Sequence, residues 1–295
     1  HIQGTAYGSM DDGETIIKLM NEAGYDLATP GNHEFDYGMA RAKAVMKEAD
    51  FPYISCNWVD LRTGLKVLPT IKMFTIGGAR IAFVGVTTPE TFTKSTPAYF
   101  MNASQTKYIY DILGGDDGQK LYNAVQKAID KAKFLGATYI IGLGHLGVDP
   151  SSSPWTSEEV IAHTTGFDAF IDGHSHSVIT AGPNGEDIQS TGTAFANIGV
   201  ITIDNATKKI VGNELIKVSD YEKRDETVAA AAKAIKEPID KAYGEKFAVS
   251  EVALNGAKAP NGNRDSETNL GDLITDAMLW KVLADAEITV PEENV

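Results

Sequence analysis

A chain of 295 residues can bury a substantial core and can hold one large domain or two unequal ones. Its net charge of −14 argues against a nucleic-acid polymer or an anionic membrane as the partner, because phosphate groups favour clusters of Lys and Arg. The apolar runs are only as long as strands, so no membrane span is predicted, and the single cysteine, Cys56, excludes an intrachain disulfide.

Helix and strand patterns alternate through the first two thirds of the chain, which is typical of a layered α/β domain. Asp12 can cap a first helix that ends at Gly24, and Gly77-Gly78 is a hairpin turn signal. Further helices are predicted at residues 39–49, 117–134 and 157–163. Strands are predicted at residues 25–29, 53–56, 67–76, 80–86, 138–143 and 168–171.

The last third is predicted to finish this domain with strands and then to begin another. Residues 178–218 turn to a β pattern, with alternation at 199–204 and 210–218. The charged, alanine-rich segment 220–243 favours a linker helix. A strand at 247–254 and a helix at 270–283 would start a second α+β domain. We therefore predict domain boundaries at residues 1–217, 218–245 and 246–295, the last domain being incomplete.

Three segments that contain histidine follow predicted strands: Gly31-Asn32-His33-Glu34-Phe35-Asp36, Gly144-His145-Leu146-Gly147 and Gly173-His174-Ser175-His176. Ligands usually bind at strand ends in an α/β sheet, so the three segments can converge on one crevice. His174 and His176 would point to the same side if the backbone there were extended. Imidazole nitrogens together with an asparagine oxygen suit Zn, Mn and similar ions, so the pattern predicts a metal site.

The order of these segments resembles the second half of the calcineurin-like metallophosphoesterase signature. The first segment is similar to the variant found in the 5′-nucleotidase and UDP-sugar hydrolase family of bacteria, and the similarity runs from residue 1 to about residue 217. It implies a metallophosphatase domain in which helices flank a layered β-sandwich. It also implies hydrolysis of nucleotide phosphoesters by two divalent metal ions and a metal-activated water.

The resemblance also implies roles for individual residues. Asn32, His145 and His174 would hold one metal, and His176 would be a ligand of the other. The remaining ligands would come from the family's Asp-x-His and Gly-Asp motifs, which would both lie upstream of Ile2. The sequence by itself is therefore expected to bind one metal weakly and to be inactive in two-metal hydrolysis.

Two catalytic residues are implied in the first segment. His33 would donate to the phosphoryl oxygens and stabilise the charge that develops in the transition state. Asp36 would orient that imidazole. The alternative for Asp36 is a helix N-cap ahead of Met39, and one residue could serve both purposes.

Residues 264–278 resemble the beginning of the family's C-terminal nucleotide-binding domain. By position, Arg264 resembles an arginine that contacts the substrate phosphate, a task that suits the planar guanidinium. A surface arginine before a helix is the alternative.

The expected function is thus that of a 5′-nucleotidase, with UDP-sugar hydrolysis as a further activity and a small-molecule nucleotide as the partner. The family resemblance implies an extracellular, cell-wall or periplasmic location. The sequence begins without a basic or hydrophobic leader. The alternative in the same class is a 2′,3′-cyclic-nucleotide 2′-phosphodiesterase with 3′-nucleotidase activity, which Asp36 disfavours because those relatives tend to have asparagine there. The alternative in another class is a non-catalytic nucleotide-binding surface module.

Overall fold

A computed structural model describes residues 1–246, 248–257 and 259–285, without the side chain of Thr5. The chain forms two compact units, His1–Ile239 and Asp240–Val295. The helices of the described residues are α1 (Thr5–Ser9), α2 (Glu14–Glu22), α3 (Met39–Glu48), α4 (Thr91–Lys94), α5 (Gln119–Phe134), α6 (Ser157–Ala162), α7 (Glu226–Tyr243) and α8 (Asn269–Ala284).

The strands all lie in the first unit as far as the structure describes the chain, and they form three sheets. They are β1 (Trp58–Asp60), β2 (Leu65–Lys66), β3 (Ile71–Ile76), β4 (Ala79–Thr87), β5 (Tyr110–Ile112), β6 (Tyr139–His145), β7 (Ala169–Asp172), β8 (Val178–Ile179), β9 (Ile188–Thr191), β10 (Asn197–Asp204) and β11 (Lys209–Lys217).

The largest sheet has six strands in the order β3-β4-β6-β7-β9-β8. Its four central strands, β4, β6, β7 and β9, are parallel, and an antiparallel strand closes each edge. Parallel strands covered on both faces are apolar along their whole length, which accounts for the Val- and Ile-rich runs at these positions. The mixed α/β fold predicted from the alternating patterns is confirmed.

Alternate residues of β4 contribute to two different cores, because successive side chains of a strand point to opposite faces. Ala82, Val84 and Val86 pack with the buried face of α5. Ala79 and Ile81 pack on the other face, where apolar side chains of the β10–β11 hairpin meet the sheet. The sheet is therefore the middle of three layers, with α5 on one side and the hairpin on the other.

A separate core lies around α2, α3 and the small sheet β2-β1-β5. Trp58 is its largest fully buried side chain, and the Phe35 ring packs edge-on against it at 5.0 Å between centroids. Phe35 ends the short 3₁₀ helix Asn32–Phe35. This core therefore anchors the segment in which the predicted metal ligand Asn32 lies.

Two strand predictions in the first unit are wrong. Residues 25–29 and 53–56 form only an isolated parallel bridge between Ala28 and Tyr53. Pro30 and Pro52 flank this bridge, and because proline has no backbone N–H, the ladder cannot extend past them.

The predicted strand at 247–254 is wrong over residues 248–254, which are irregular, while Phe247 lies outside the described residues. No described strand of the second unit is available to pair with this segment. The predicted helix that follows is present as α8, and Thr268 Oγ1 caps it by accepting a hydrogen bond from the Gly271 N–H at 3.0 Å. Residues 291–295, at the end of the domain predicted to be incomplete, are also outside the described residues. The predicted domain boundaries stay a prediction.

None of the helices in the described ranges combines the length and the apolar character that crossing a membrane requires.

Candidate metal centre

The carboxyl ends of three strands lie side by side at one edge of the large sheet. Thr87, which ends β4, pairs with His145, which ends β6. The neighbouring strand β7 ends at Asp172, two residues before His174. The segment that begins at Asn32 reaches the same edge, although it is 113 residues from His145 and 142 residues from His174 in sequence.

Asn32, His145 and His174 converge on one point. Oδ1 of the buried Asn32 lies 3.1 Å from Nε2 of His145 and 3.1 Å from Nδ1 of His174. Ligand atoms that bind one ion at about 2.1 Å are themselves about 3 Å apart, so this donor set fits a single divalent cation of the borderline class. In the described part of the chain, no group of three or more His, Cys, Asp or Glu side chains could hold a metal, and the set described here includes the amide oxygen of Asn32.

Glu90 contacts the candidate centre, and the sequence patterns missed it. Its Oε2 lies 2.8 Å from Nε2 of His174 and accepts a hydrogen bond from Ser152 Oγ at 2.6 Å. Burial alone would raise the pKa of this carboxyl, but the hydrogen bonds from Ser152 and His174 outweigh burial and lower the pKa. A neutral His174 that donates Nε2–H to Glu90 keeps a lone pair on Nδ1, the atom that faces Asn32. This is the carboxylate–histidine arrangement that orients a metal ligand.

His145 is held as a neutral imidazole. Burial, with the neighbouring His174 adding to it, lowers the pKa of His145 to about 3. Neutral imidazole is the form that binds a metal. The next residue, Leu146, donates its N–H to Oδ1 of Asp172 at 2.9 Å, which ties the ends of β6 and β7 together. Burial raises the pKa of Asp172.

Gly31 makes room for the His145 ring. A Cβ on Gly31 would lie 2.7 Å from two ring atoms of His145, closer than side chains approach each other. Glu34 fixes the same turn, because its Oε2 accepts from the Gly31 N–H at 2.6 Å and its Oε1 accepts from the Ile2 N–H at 3.2 Å. The glycine ahead of Asn32 therefore serves the close packing of backbone on imidazole.

His33 and Asp36 form a hydrogen-bonded pair beside these three residues. Nδ1 of the half-exposed His33 lies 2.6 Å from Oδ2 of Asp36, and Oδ1 of Asp36 accepts from Ser95 Oγ at 2.9 Å. Helix α3 begins after Gly38 without a side-chain cap, so the alternative role of Asp36 as the N-cap of this helix is wrong. Ser95, like Glu90, was not predicted, because only the fold brings it close to the first segment.

The backbone of the third segment differs from the prediction. His174 and His176 have φ angles of 76° and 56°, so the segment is not extended and the argument that their rings share one side of a strand is wrong. Positive φ is uncommon for residues other than glycine and is concentrated at functional sites. His176 is exposed and lies in the same loop as His174.

Arg264 lies in the second unit, four residues before the Thr268 cap, and is exposed. Its assignment to the substrate phosphate stays a prediction, as do the metal and catalytic assignments of the other residues.

Relatives of the chain include enzymes that act on phosphoesters. The chain is 29% identical over 291 residues to "Endonuclease YhcR" of Bacillus subtilis (strain 168), which covers 90% of this chain and 22% of that protein. It is 26% identical over 308 residues to "Snake venom 5'-nucleotidase" of Gloydius brevicauda, which covers 94% of this chain and 48% of that protein. The chain thus spans half or less of the length of these curated relatives. No protein-family model matches it.

Among solved structures, the "calcineurin-like phosphoesterase YfkN from Bacillus subtilis" superposes with a TM-score of 0.66 at 21% identity. The superposition covers 83% of each chain. At this level of identity the likeness concerns the fold, and the sequence relatives show similarity to 5′-nucleotidases. The chain is therefore a relative of the 5′-nucleotidases and has the calcineurin-like phosphoesterase fold.

Proposed function

We propose that this chain is part of a metal-dependent hydrolase that cleaves phosphoester bonds of nucleotides, as a 5′-nucleotidase does. The observation that carries the proposal is the convergence of Asn32, His145 and His174, with the His33–Asp36 pair beside them. A 5′-nucleotidase among the relatives supports the reaction class and the nucleotide substrate. The net charge of −14 disfavours a nucleic-acid polymer as substrate, although one relative carries the name endonuclease.

The metal would be held by residues at the carboxyl edge of the sheet. Asn32, His145 and His174 would bind one divalent ion, zinc, manganese or a similar metal, and His176 would be a ligand of a second. When bound, such ions supply Lewis-acid polarisation of the phosphoryl oxygen and a water of lowered pKa. The tie between Glu90 and His174 Nε2 keeps Nδ1 directed at the ion site.

His33 would act directly on the substrate. Because Asp36 occupies Nδ1, the nitrogen left for substrate is Nε2, which can donate to a phosphoryl oxygen or to the leaving oxygen. Asp36 stabilises a positive charge on the imidazole and fixes its ring, and Ser95 in turn fixes Asp36. Arg264 would bind the substrate phosphate through its guanidinium.

The relatives also support a location outside the cytoplasm as part of the proposal, because one of them is a venom protein. The substrate would then be a nucleotide in the surroundings of the cell.

The test is hydrolysis of AMP by the natural protein that contains this chain, loaded with Mn²⁺ or Zn²⁺. His33→Ala should lower kcat by about 10²–10³-fold, because it removes a donor that acts in the transition state. His163→Ala is the matched control, since His163 stacks on Tyr122 at 4.4 Å between centroids and has no part in the centre.

Three outcomes separate the alternatives. Faster hydrolysis of 2′,3′-cyclic AMP than of AMP would favour the cyclic-nucleotide phosphodiesterase. Binding of AMP without hydrolysis of either compound would leave a nucleotide-binding module. An unchanged rate in His33→Ala would overturn the role of the His33–Asp36 pair.

A further inference from the structure

A cavity of about 440 Å³ lies between α5 and the segments around β2 and β3, away from the candidate metal centre. Its lining includes the buried residues Cys56, Ala124 and Ala128. None of the residues that make up the metal centre lines it. The volume is that of a small-molecule site.

Four lysines line this cavity: Lys66, Lys120, Lys127 and Lys131. The last three recur on one face of α5, because spacings of seven and four residues return to the same side of a helix. They extend over about 16 Å along the helix axis. Lys66 comes from β2 and supplies an ammonium group from outside that helix. We call the cavity with these four side chains the lysine pocket.

Among the described residues, no ion pair neutralises the positive charges of the lysine pocket. Within the part of the chain that the structure describes, no carboxylate lies within ion-pair distance of any of the four ammonium groups. Lys131 donates only to Thr70 Oγ1, at 3.4 Å. The chain has 40 acidic and 26 basic residues, so a cluster of cations without ion pairs has the opposite sign to the net charge of the protein.

The charges in and near the pocket influence each other. Partial burial, with Lys127 adding to it, lowers the pKa of Lys66. Asp111 is an acidic group that interacts with this cluster, and its pKa is raised by burial although Lys120 and Lys66 act in the opposite direction. Asp111 by itself does not offset four ammonium groups, and a bound polyanion would relieve their repulsion.

We propose that the lysine pocket binds a small anionic ligand with two or more phosphate groups. Ammonium groups from β2 and from successive turns of α5 can contact separate phosphates, while Asn123 and Thr70 offer neutral polar contacts. The apolar floor at Ala124 and Ala128 suits the carbon skeleton of such a ligand. The lysine pocket is a second anion site, independent of the proposed hydrolysis.

The test is calorimetric titration of the chain with inorganic pyrophosphate in the presence of a chelator, which keeps metal out of the other site. The double variant Lys127→Gln/Lys131→Gln should bind pyrophosphate roughly tenfold or more weakly, because two charge-assisted contacts are lost. The matched control is Lys208→Gln/Lys209→Gln, which removes the same charge at the last residue of the β10–β11 turn and the first residue of β11. It should change the affinity by less than about twofold. Lys127→Arg/Lys131→Arg should retain binding.

Equal losses in the two glutamine variants would overturn the proposal, because the effect would then come from net charge alone. It would also be overturned if the unmodified chain bound no pyrophosphate, or if His145→Ala abolished binding while Lys127→Gln/Lys131→Gln did not. Thermal melting of each variant checks that it is folded. AMP hydrolysis measured separately should be the same in Lys127→Gln/Lys131→Gln as in the unmodified protein, so the two proposals can fail independently.

Discussion

Glu90 determines which ring nitrogen of His174 faces the candidate metal centre. Its carboxylate lies 84 residues from His174 in sequence and meets Nε2 at 2.8 Å, which leaves Nδ1 for a metal. Glu90→Gln keeps the shape of the side chain but removes the charge. We expect it to lower the affinity for Mn²⁺ or Zn²⁺ by about 10–100-fold, as the loss of such an outer carboxylate commonly does. Calorimetric titration of the metal-free protein measures this.

The matched control for this experiment is Glu22→Gln, since Glu22 is exposed at the end of α2 and should leave the metal affinity unchanged. A Glu90→Gln protein that binds metal as tightly as the unmodified chain would show that His174 does not depend on Glu90.

The lowered pKa of the partly buried His145 imidazole predicts a dependence of stability on pH. The folded pKa of about 3 lies below the unfolded value of 6.5, so between these values the unfolded chain binds the additional proton. The contribution of His145 to the free energy of unfolding is therefore fully present above pH 6.5 and is lost as the pH decreases towards 3. This loss amounts to at most about 5 kcal/mol. In metal-free protein, His145→Gln should lose less stability than the unmodified chain between pH 7 and pH 4. Urea denaturation at each pH tests the difference, and parallel curves for the two proteins would contradict it.

The residues of the centre differ in how far the sequence reveals them. Asn32, His145 and His174 could be named because each belongs to a motif at the end of a strand predicted from the sequence. Glu90 and Ser95 could not, because their roles arise from contacts across 84 and 59 residues of chain. The available signal for Glu90 was its place three residues after Thr87, the last residue of the apolar strand β4. The positive φ at His174 was also beyond prediction, because a local pattern that favours extended backbone is overruled by the packing of the loop.

At the scale of elements, β7 secures the edge of the sheet through Phe170. This side chain is fully buried, and its ring packs against the backbone of Gly142 and Gly144 in β6, the strand that ends at His145. Phe170→Ala should lower the free energy of unfolding by about 3–5 kcal/mol, because it leaves a cavity between the sheet and α5. Phe134→Ala is the matched control, as Phe134 is 90% exposed, and should change stability by less than about 0.5 kcal/mol. Equal effects in urea denaturation would contradict this account of the core.

The elements that the sequence predicted correctly are those whose pattern is long or strongly periodic. Helix α5 and strands β4 and β6 were predicted to within two residues at each end. The errors fall on short segments whose state is decided by partners. Residues 25–29 include apolar side chains, but Pro30 follows them and only an isolated bridge forms. Residues 248–254 have no described strand beside them. The short strands β1, β2 and β5 were missed for the same reason, since a strand of two or three residues exists only through its neighbours.

At the scale of the whole molecule, the apolar cores formed by the described residues all lie in the first unit. All three clusters of buried apolar residues lie before residue 190, and in the second unit no described hydrophobic residue is buried. Helix α8 instead exposes large apolar side chains, with Leu273, Met278 and Trp280 being 51%, 64% and 70% exposed. Exposed apolar surface of this kind favours association.

We therefore predict that the 295-residue chain associates through α8, and that a chain of residues 1–243 keeps its thermal stability but associates less. Its melting temperature should differ by less than about 3 °C, because the described contacts that form the cores are all retained. Calorimetry measures the first quantity and light scattering at increasing concentration the second. Leu273→Ser/Trp280→Ser in the 295-residue chain is the variant that attributes association to α8, because it removes apolar surface without shortening the chain. A marked fall in the melting temperature of 1–243 would mean that the second unit contributes to the stability of the first. Association that persisted in both altered proteins would place the self-associating surface on the first unit.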